Sequence, residues 1–79
     1  MNKQLEKIFH QAFEVDKVDE SMSIYNVAGW DSMAHVGLIL ALQKEFKVNI
    51  SPADAIELIS AEKIIKYLEQ NLNQRDGDE

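Results

Sequence analysis

The segment Gly29-Trp30-Asp31-Ser32-Met33 runs directly into the longest apolar stretch of the sequence, Ala34-His35-Val36-Gly37-Leu38-Ile39-Leu40-Ala41-Leu42. The Asp31 carboxylate can accept hydrogen bonds from the free backbone N–H groups of a first helical turn, where negative charge is also favourable. We therefore expect a helix from about Ser32 to Phe46, capped by Asp31, with the Ser32 hydroxyl exposed at its mouth.

Three further helices are predicted around this segment. A first helix of about four turns is indicated by an apolar stripe at helical spacing, formed by Leu5, Ile8, Phe9, Ala12 and Phe13. A short third helix begins with a serine cap and a proline, at Ser51-Pro52-Ala53-Asp54. Ser60 then caps a fourth helix, whose apolar stripe is Ala61, Ile64, Ile65, Leu68 and Leu72. The sequence thus predicts an all-α fold, a small four-helix bundle with a long first loop and a short third helix.

The first loop, residues 17–31, is unusually long. At about 15 residues it exceeds most helix-to-helix connections, and loops of this length tend to be functional or internally packed. Its apolar side chains predict that it folds back on the core: Met22, Ile24, Tyr25, Val27 and Trp30. We expect one domain over residues 1–72, and a disordered polar tail over residues 73–79, which contain no apolar side chain.

The composition excludes several classes of function. A chain of 79 residues without cysteine forms one domain, with neither a disulfide framework nor a thiolate metal site. The net charge of -6 argues against nucleic acid, whose binding requires Lys and Arg to neutralise phosphates. No apolar run reaches the roughly 18 residues of a membrane span, and the first residues lack the apolar region of a signal peptide. We expect a cytoplasmic monomer.

The pattern Gly-x-Asp-Ser-Met/Leu at the start of an apolar helix, in an acidic helical domain of this size, resembles the acyl carrier protein family. Here it reads Gly29-Trp30-Asp31-Ser32-Met33. The likeness covers roughly residues 5–72, through the second helix, a polar turn from Lys47 to Pro52 and the last two helices. The tripeptide Asp-Ser-Met occurs by chance, so the combination with chain length, helix order and acidic balance makes the resemblance specific.

The resemblance implies that Ser32 is the attachment point of 4′-phosphopantetheine, with Trp30, Asp31 and Met33 beside it. A phosphopantetheinyl transferase would move this group from coenzyme A with the help of Mg²⁺. A phosphate on Ser32 would lie near unpaired N–H groups and the positive end of the helix dipole. The arm ends in a thiol, which explains how a cysteine-free protein could carry a thioester. The chain would then be a carrier rather than an enzyme, and its partners would be acyl-activating, condensing or acyl-transferring enzymes.

A helical wheel of the second helix, at about 100° per residue, separates two faces. The centre of the buried arc is Leu38, Ile39, Leu42 and Phe46, with Val36 and Leu40 along its shoulder. The opposite arc contains Met33, Ala34, Gly37, Ala41, Lys44 and Glu45. In the acyl carrier family this arc docks partner enzymes and is usually rich in Asp and Glu. Because the arc here is small and nearly uncharged, we expect apolar docking to a dedicated set of partners, in a specialised lipid, polysaccharide or polyketide-type pathway.

The resemblance also implies a cavity that shelters the carried group, lined here by His35, Leu38, Leu42 and Phe46. A histidine at its entrance would suit a short or polar cargo, which leaves open an aminoacyl carrier of the D-alanyl type. The other interpretation places His35 at the rim of the core with one nitrogen in water. Trp30 likewise either anchors the long loop on the core or lines the path of the arm.

Two interpretations outside the carrier class remain. Ser32 and His35 lie on the same side of the helix, so a catalytic pair is conceivable, but no carboxylate is placed to orient the histidine. A helical interaction module that keeps a carrier-like shape without the arm is the other. Acidic residues cluster after the first helix, but they lack the spacing of a calcium-binding EF-hand loop, so we expect a solvated acidic turn and no metal site: Glu14, Asp16, Asp19 and Glu20.

Overall fold

Over residues 1–77 the chain folds into four helices joined by one long and two short connections. The computed structural model describes residues 1–77, with side chains as far as Asn71. Its helices are α1 (Lys3–Phe13), α2 (Ser32–Phe46), α3 (Pro52–Glu57) and α4 (Ala61–Gly77). Within the described residues the β pairing is limited to one isolated antiparallel bridge between Ser23 and Ser60. The predicted all-α architecture is confirmed, with α1 one turn shorter than expected.

Side-chain caps fix where the helices begin. Asn2 Oδ1 accepts hydrogen bonds from the backbone N–H groups of Gln4 (2.7 Å) and Leu5 (3.2 Å) at the start of α1. The hydroxyl of Ser51 accepts from the N–H of Asp54, and that of Ser60 accepts from the N–H of Lys63, both at 3.1 Å. Each cap satisfies an N–H group that has no partner inside its helix. Both predicted serine caps, and the predicted span of α2, are therefore confirmed.

The core is built mainly on α1, α2 and the residues that follow them. α1 packs against α2, and an aromatic cluster joins α1 to the end of the long loop: the rings of Phe13 and Trp30 stack with centroids 4.7 Å apart, and Phe9 lies 6.0 Å from Trp30. The remaining buried apolar side chains are Leu5, Ile8, Met22, Leu38, Ile39, Leu42, Val48, Ile50, Leu58, Ala61, Ile64 and Leu68.

The long loop is attached to the connection between α3 and α4. The N–H of Ile24 donates to the carbonyl of Ile59 at 3.0 Å, and the N–H of Ala61 donates to the carbonyl of Met22 at 2.9 Å. Met22 and Trp30 are buried and Val27 is half-buried, as predicted. The prediction was wrong for two side chains, because Ile24 is exposed and Tyr25 is 85% exposed. Backbone pairing, rather than every apolar side chain, therefore fixes this loop.

The wheel of α2 needs a rotation. Leu38, Ile39 and Leu42 are buried as predicted, but Phe46 is only half-buried. Val36 and Leu40, expected on the shoulder of the buried arc, are 58% and 59% exposed. The wheel carried no information on where the core lies relative to the helix, so the predicted arc extended too far toward these side chains.

The C-terminal helix extends beyond the predicted domain. Its backbone continues to Gly77, past residue 72. The side chain of Leu72, and residues 78 and 79 altogether, lie outside the described residues. Disorder of residues 73–79 stays a prediction. Within residues 1–77, no helix is both long and apolar enough to cross a bilayer.

Candidate functional site

Ser32 is the first residue of α2, and its side chain is exposed. The Asp31 carboxylate accepts from the N–H of Ala34 at 2.9 Å, and the Asp31 carbonyl accepts from the N–H of His35 at 2.8 Å. These bonds engage the N–H groups of the third and fourth residues of α2. The N–H groups of the first two residues, Ser32 and Met33, have no partner within the helix. Among the residues that the structure describes, the Ser32 hydroxyl has no hydrogen-bond partner. The site therefore presents an accessible hydroxyl at the positive end of a helix.

Trp30, two residues before Ser32, is part of the core. Its side chain is 2% exposed, and its ring stacks on Phe13. The indole N–H donates to His35 Nδ1 at 3.0 Å. Of the two interpretations of this residue, the loop anchor describes its placement. So buried a ring offers little surface to an arm on Ser32.

His35 has partners for both ring nitrogens. Nδ1 accepts from the Trp30 indole, and Nε2 lies 2.8 Å from the carbonyl oxygen of Ala55 on α3. The expectation of one nitrogen in water was wrong. Since neither nitrogen is available to take a proton from Ser32, the pair has no general base, and the arrangement does not activate a nucleophile.

The predicted docking residues divide into two groups. Met33, Gly37 and Lys44 are exposed, and a side chain added at Gly37 would meet no atom within 4 Å. Ala34 and Ala41 are half-buried against the core. Sequence reasoning missed Val36 and Leu40, which lie with Ser32 on one row of α2 at intervals of four residues. The sequence did contain a signal for their exposure, because Val36 and Leu40 alternate along the helix with Leu38 and Leu42, which are buried. Ile56 on α3 adds a further exposed apolar side chain.

The predicted cargo residues do not line one cavity. A cavity of about 460 Å³ lies between the start of α1, the end of α2 and α4, and only Phe46 of the four residues contributes to it. Its other lining residues are Met1, Asn2, Leu5, Glu20, Ile65, Leu68 and Glu69. Phe46 is fourteen residues from Ser32 along α2, about 21 Å at 1.5 Å per residue. The cavity is thus at the opposite end of α2 from Ser32, while Leu38 and Leu42 are packed in the core.

Two polar contacts outside the predicted site affect α3 and the long loop. The Tyr67 hydroxyl on α4 donates a hydrogen bond to Asp54 Oδ2 on α3 at 3.1 Å. The pKa of Tyr67 is raised mainly by burial, and further by this hydrogen bond and by the negative charge of Asp54. Asp19 accepts hydrogen bonds from the hydroxyl and N–H of Ser21, which lower its pKa. Within the described residues, no three His, Asp or Glu side chains gather where they could hold a metal ion.

Comparison with known proteins now joins this geometry to a family. The family described as "Phosphopantetheine attachment site" matches residues 3–68, which include all of α1, α2 and α3. The acyl carrier proteins of Campylobacter jejuni subsp. jejuni serotype O:23/36 (strain 81-176) and of C. jejuni subsp. doylei (strain RM4099) are each 34% identical to the chain over 58 residues. These residues are 73% of this chain and 75% of either relative. This chain belongs to the acyl carrier protein family. It is a carrier and not a catalyst, and its cofactor is a covalently attached 4′-phosphopantetheine.

The residues at the start of α2 fit such a group. An exposed hydroxyl is available for a phosphodiester, and the N–H groups of Ser32 and Met33 belong to the same first turn of the helix. The acidic residue next to Ser32 in sequence is Asp31, and one of its carboxylate oxygens accepts a hydrogen bond from the N–H of Ala34. When bound, the group supplies the thiol that this cysteine-free carrier lacks.

Proposed function

We propose that Ser32 bears the 4′-phosphopantetheine and that the carrier presents acyl intermediates as thioesters to enzymes of a specialised lipid, polysaccharide or polyketide-type pathway. The observation that carries the proposal is the exposed, unpartnered Ser32 hydroxyl at the N-terminus of α2. The serines at the starts of α3 and α4 are occupied differently, because the hydroxyls of Ser51 and Ser60 cap their own helices.

The attachment is tested by mass spectrometry of the intact protein. Incubation with coenzyme A, Mg²⁺ and a broad-specificity phosphopantetheinyl transferase should add about 340 Da, a covalent modification of one hydroxyl. Ser32→Ala should abolish the addition while its far-UV circular dichroism stays that of the wild type. Ser51→Ala, which removes another serine at a helix mouth, should still be modified. Modification that persists in Ser32→Ala would refute the assignment, and no addition with any transferase would favour the helical interaction module.

The cargo is better described as acyl than as aminoacyl. The argument for a short polar cargo was a polar residue at the entrance of the cavity, but both nitrogens of the His35 ring have protein partners. The side chains that follow His35 on the same face, Leu38 and Leu42, are apolar and fully buried. We therefore favour an acyl group over the D-alanyl alternative. Loading the arm in parallel with octanoate and with D-alanine by their activating enzymes would decide between them.

We also propose that partner enzymes dock on the exposed face of α2, on Met33, Ala34, Gly37, Ala41 and Lys44, together with Val36 and Leu40. Between Ser32 and Gln43 this helix carries no Asp or Glu. Exposed ion pairs are weak and are screened by salt, with a Debye length of about 8 Å at physiological ionic strength. Contacts made by Met33, Val36 and Leu40 should therefore depend little on salt.

The docking proposal is tested by the KM of the apo-carrier for the transferase that loads it, measured at increasing salt concentration. We expect a nearly constant KM for the wild type. Gly37→Glu places a charge in the middle of the face and should raise KM, whereas Gln70→Glu adds the same charge on α4 and should not. A steep rise of the wild-type KM with salt, or tighter binding by Gly37→Glu, would show that the face docks through charge.

A further inference from the structure

The two hydrogen bonds of His35 determine where its proton lies. An indole N–H can only donate, so the Nδ1 atom that Trp30 contacts at 3.0 Å is unprotonated. A backbone carbonyl can only accept, so the Nε2 atom, 2.8 Å from the Ala55 oxygen, bears the hydrogen. The Nδ1 contact leads to the buried Trp30, whereas the Nε2 contact leads to α3, in which no side chain is buried. The two nitrogens of this neutral imidazole therefore contact different parts of the molecule.

The first turn of α2, which bears Ser32, is packed less firmly than the rest of the helix. The buried side chains of α2 are Leu38, Ile39 and Leu42, so residues 32–37 include none that is fully buried. Helix ends fray, and local opening is easiest where little apolar surface is buried. Polar contacts must therefore do most to hold this turn in one place.

Two side-chain hydrogen bonds span Ser32 within the described residues, and they differ in what they reach. The Asp31 carboxylate accepts from the N–H of Ala34, so both of its partners belong to the start of the helix itself. The bond from Trp30 to His35 leads further, because the Trp30 side chain is 2% exposed and belongs to the aromatic cluster. Trp30 lies two residues before Ser32, and His35 lies three residues after it. This bond therefore joins the first turn, on both sides of the serine, to the core.

We propose that His35 is a positioning residue for the loading of the carrier: through Nδ1 it holds the first turn of α2 on Trp30 and keeps the Ser32 hydroxyl where a transferase can use it. This inference rests on the proposed attachment of the arm to Ser32. In the loading step the Ser32 oxygen bonds to the phosphorus next to the pantetheine of coenzyme A, and the bond from that phosphorus to the bridging diphosphate oxygen breaks. Adenosine 3′,5′-bisphosphate leaves. The hydroxyl proton passes to a base of the transferase, since both nitrogens of His35 are engaged.

The position of the hydroxyl affects the rate of this step more than the binding that precedes it. The attacking and leaving oxygens must lie roughly in line at phosphorus, and a small misplacement of a reacting group slows a reaction steeply. Loss of the bond to Trp30 should slow the step about five- to tenfold, the rate equivalent of about one hydrogen bond. Affinity for the transferase should change little, because exposed side chains of α2 provide the proposed docking face.

Two amide variants separate the two nitrogens of His35. In His35→Asn the amide lies at the depth of Nδ1 and can still accept from the Trp30 indole. In His35→Gln it lies at the depth of Nε2 and can still donate to the Ala55 carbonyl, whereas His35→Leu keeps neither bond. The variants are compared by single-turnover loading with coenzyme A, Mg²⁺ and excess phosphopantetheinyl transferase, followed by intact mass.

The plateau rate of His35→Asn should stay within about twofold of the wild type, and those of His35→Gln and His35→Leu should fall about five- to tenfold. The transferase concentration at half-saturation should be unchanged in all three. Asn is a poorer helix former than Gln or Leu, so helix propensity alone predicts the opposite order. Ile64→Val trims a 0% exposed side chain on α4, with a comparable loss of stability, and should load at the wild-type rate.

The bond itself is observed by NMR on the apo-protein. Trp30 is the one tryptophan of the chain, so the spectrum contains one indole N–H signal. Its hydrogen should exchange slowly with solvent in the wild type and in His35→Asn, and faster in His35→Gln and His35→Leu. In ¹⁵N spectra of the wild type at neutral pH, Nδ1 of His35 should be the unprotonated nitrogen.

Several results would overturn the positioning role. They are equal plateau rates in the wild type and all three variants, equal rates for His35→Asn and His35→Gln, a change confined to half-saturation, and equal slowing in Ile64→Val. Indole exchange that is the same in His35→Asn and His35→Leu, or the opposite tautomer, would overturn it as well. If no transferase modifies even the wild type, the proposed function fails. Wild-type loading at a rate that does not depend on residue 35 overturns this inference alone.

Discussion

The aromatic cluster of Phe9, Phe13 and Trp30 and the short helix α3 are held in place by different interactions. Phe13 stacks on both Phe9 and Trp30, and these three side chains are at most 7% exposed. α3 buries no side chain and is tied to its neighbours by the hydrogen bonds of His35 and Tyr67. The aromatic cluster is therefore held in place by buried apolar surface, and α3 by a few polar contacts.

This difference agrees with the role proposed for Ser32. Ser32 is the first residue of α2, whose inner face is packed in the core. It also lies one helical turn before His35, which contacts α3 through the carbonyl of Ala55. A carrier must keep its attachment point fixed and still allow the carried group to move between shelter and solvent. A rigid helix beside a weakly attached one meets both requirements.

The largest expected effect is the difference in unfolding free energy between side-chain truncations in the core and in α3. Leu42→Ala removes a side chain that is 0% exposed and should lower the free energy of unfolding by about 3 kcal/mol. Ile56→Ala removes a similar volume from α3 at a site that is 72% exposed, and the change should stay within about 0.5 kcal/mol. Urea unfolding of both variants measures the difference. Equal losses would show that α3 is as firmly packed as α2.

The positions of the four helices could largely be predicted from the sequence because their signals are local. The apolar spacing of α1, the Asp31 cap and the Ser51 and Ser60 caps each need only a few neighbouring residues to be recognised. The same holds for the exposed position of Ser32, which follows from its place after a cap. The resemblance to the family rests on this segment together with chain length, helix order and acidic balance.

The misplaced residues depend on contacts distant in sequence. Trp30 could be recognised as apolar, but not as a donor to His35, and Ala55 offers only a backbone carbonyl twenty residues from that ring. Val36 and Leu40 were placed inward because a wheel gives relative angles and not the direction of the core. The exposure of Tyr25 similarly depends on how the backbone near Ile24 pairs with Ile59.

A smaller effect is expected from removing the N-terminal caps of α2 and α3. Asp31→Ala and Ser51→Ala each remove one side-chain acceptor, and each should weaken its helix by about 1 kcal/mol. Because α2 is part of the core, Asp31→Ala should lower the global unfolding free energy by that amount. Ser51→Ala should mainly speed amide exchange in α3 and leave the global value almost unchanged. Thermal melts and exchange rates distinguish the two, and a large fall in melting temperature for Ser51→Ala would contradict the weak coupling of α3.

The smallest effect is expected at high pH, at the Tyr67 tie to α3. Burial, and then the hydrogen bond to Asp54 and its charge, raise the pKa of Tyr67. The folded state therefore favours the neutral phenol, and this contribution is present below the ordinary tyrosine value of about 10 and is lost as pH rises through the higher folded pKa.

Tyr67→Phe tests this tie, because it removes the hydroxyl and leaves the ring. We expect slow α3 exchange to be slightly better maintained in the wild type at neutral pH, and this margin should shrink above about pH 10. Lysines lose charge in the same range, so the quantity to compare is the difference between wild type and variant at each pH. Tyr25→Phe changes the 85% exposed tyrosine and should show no such margin. A margin for Tyr67→Phe that stays constant through this range would mean that the Asp54 contact does not hold α3, and His35 would then be its principal polar attachment.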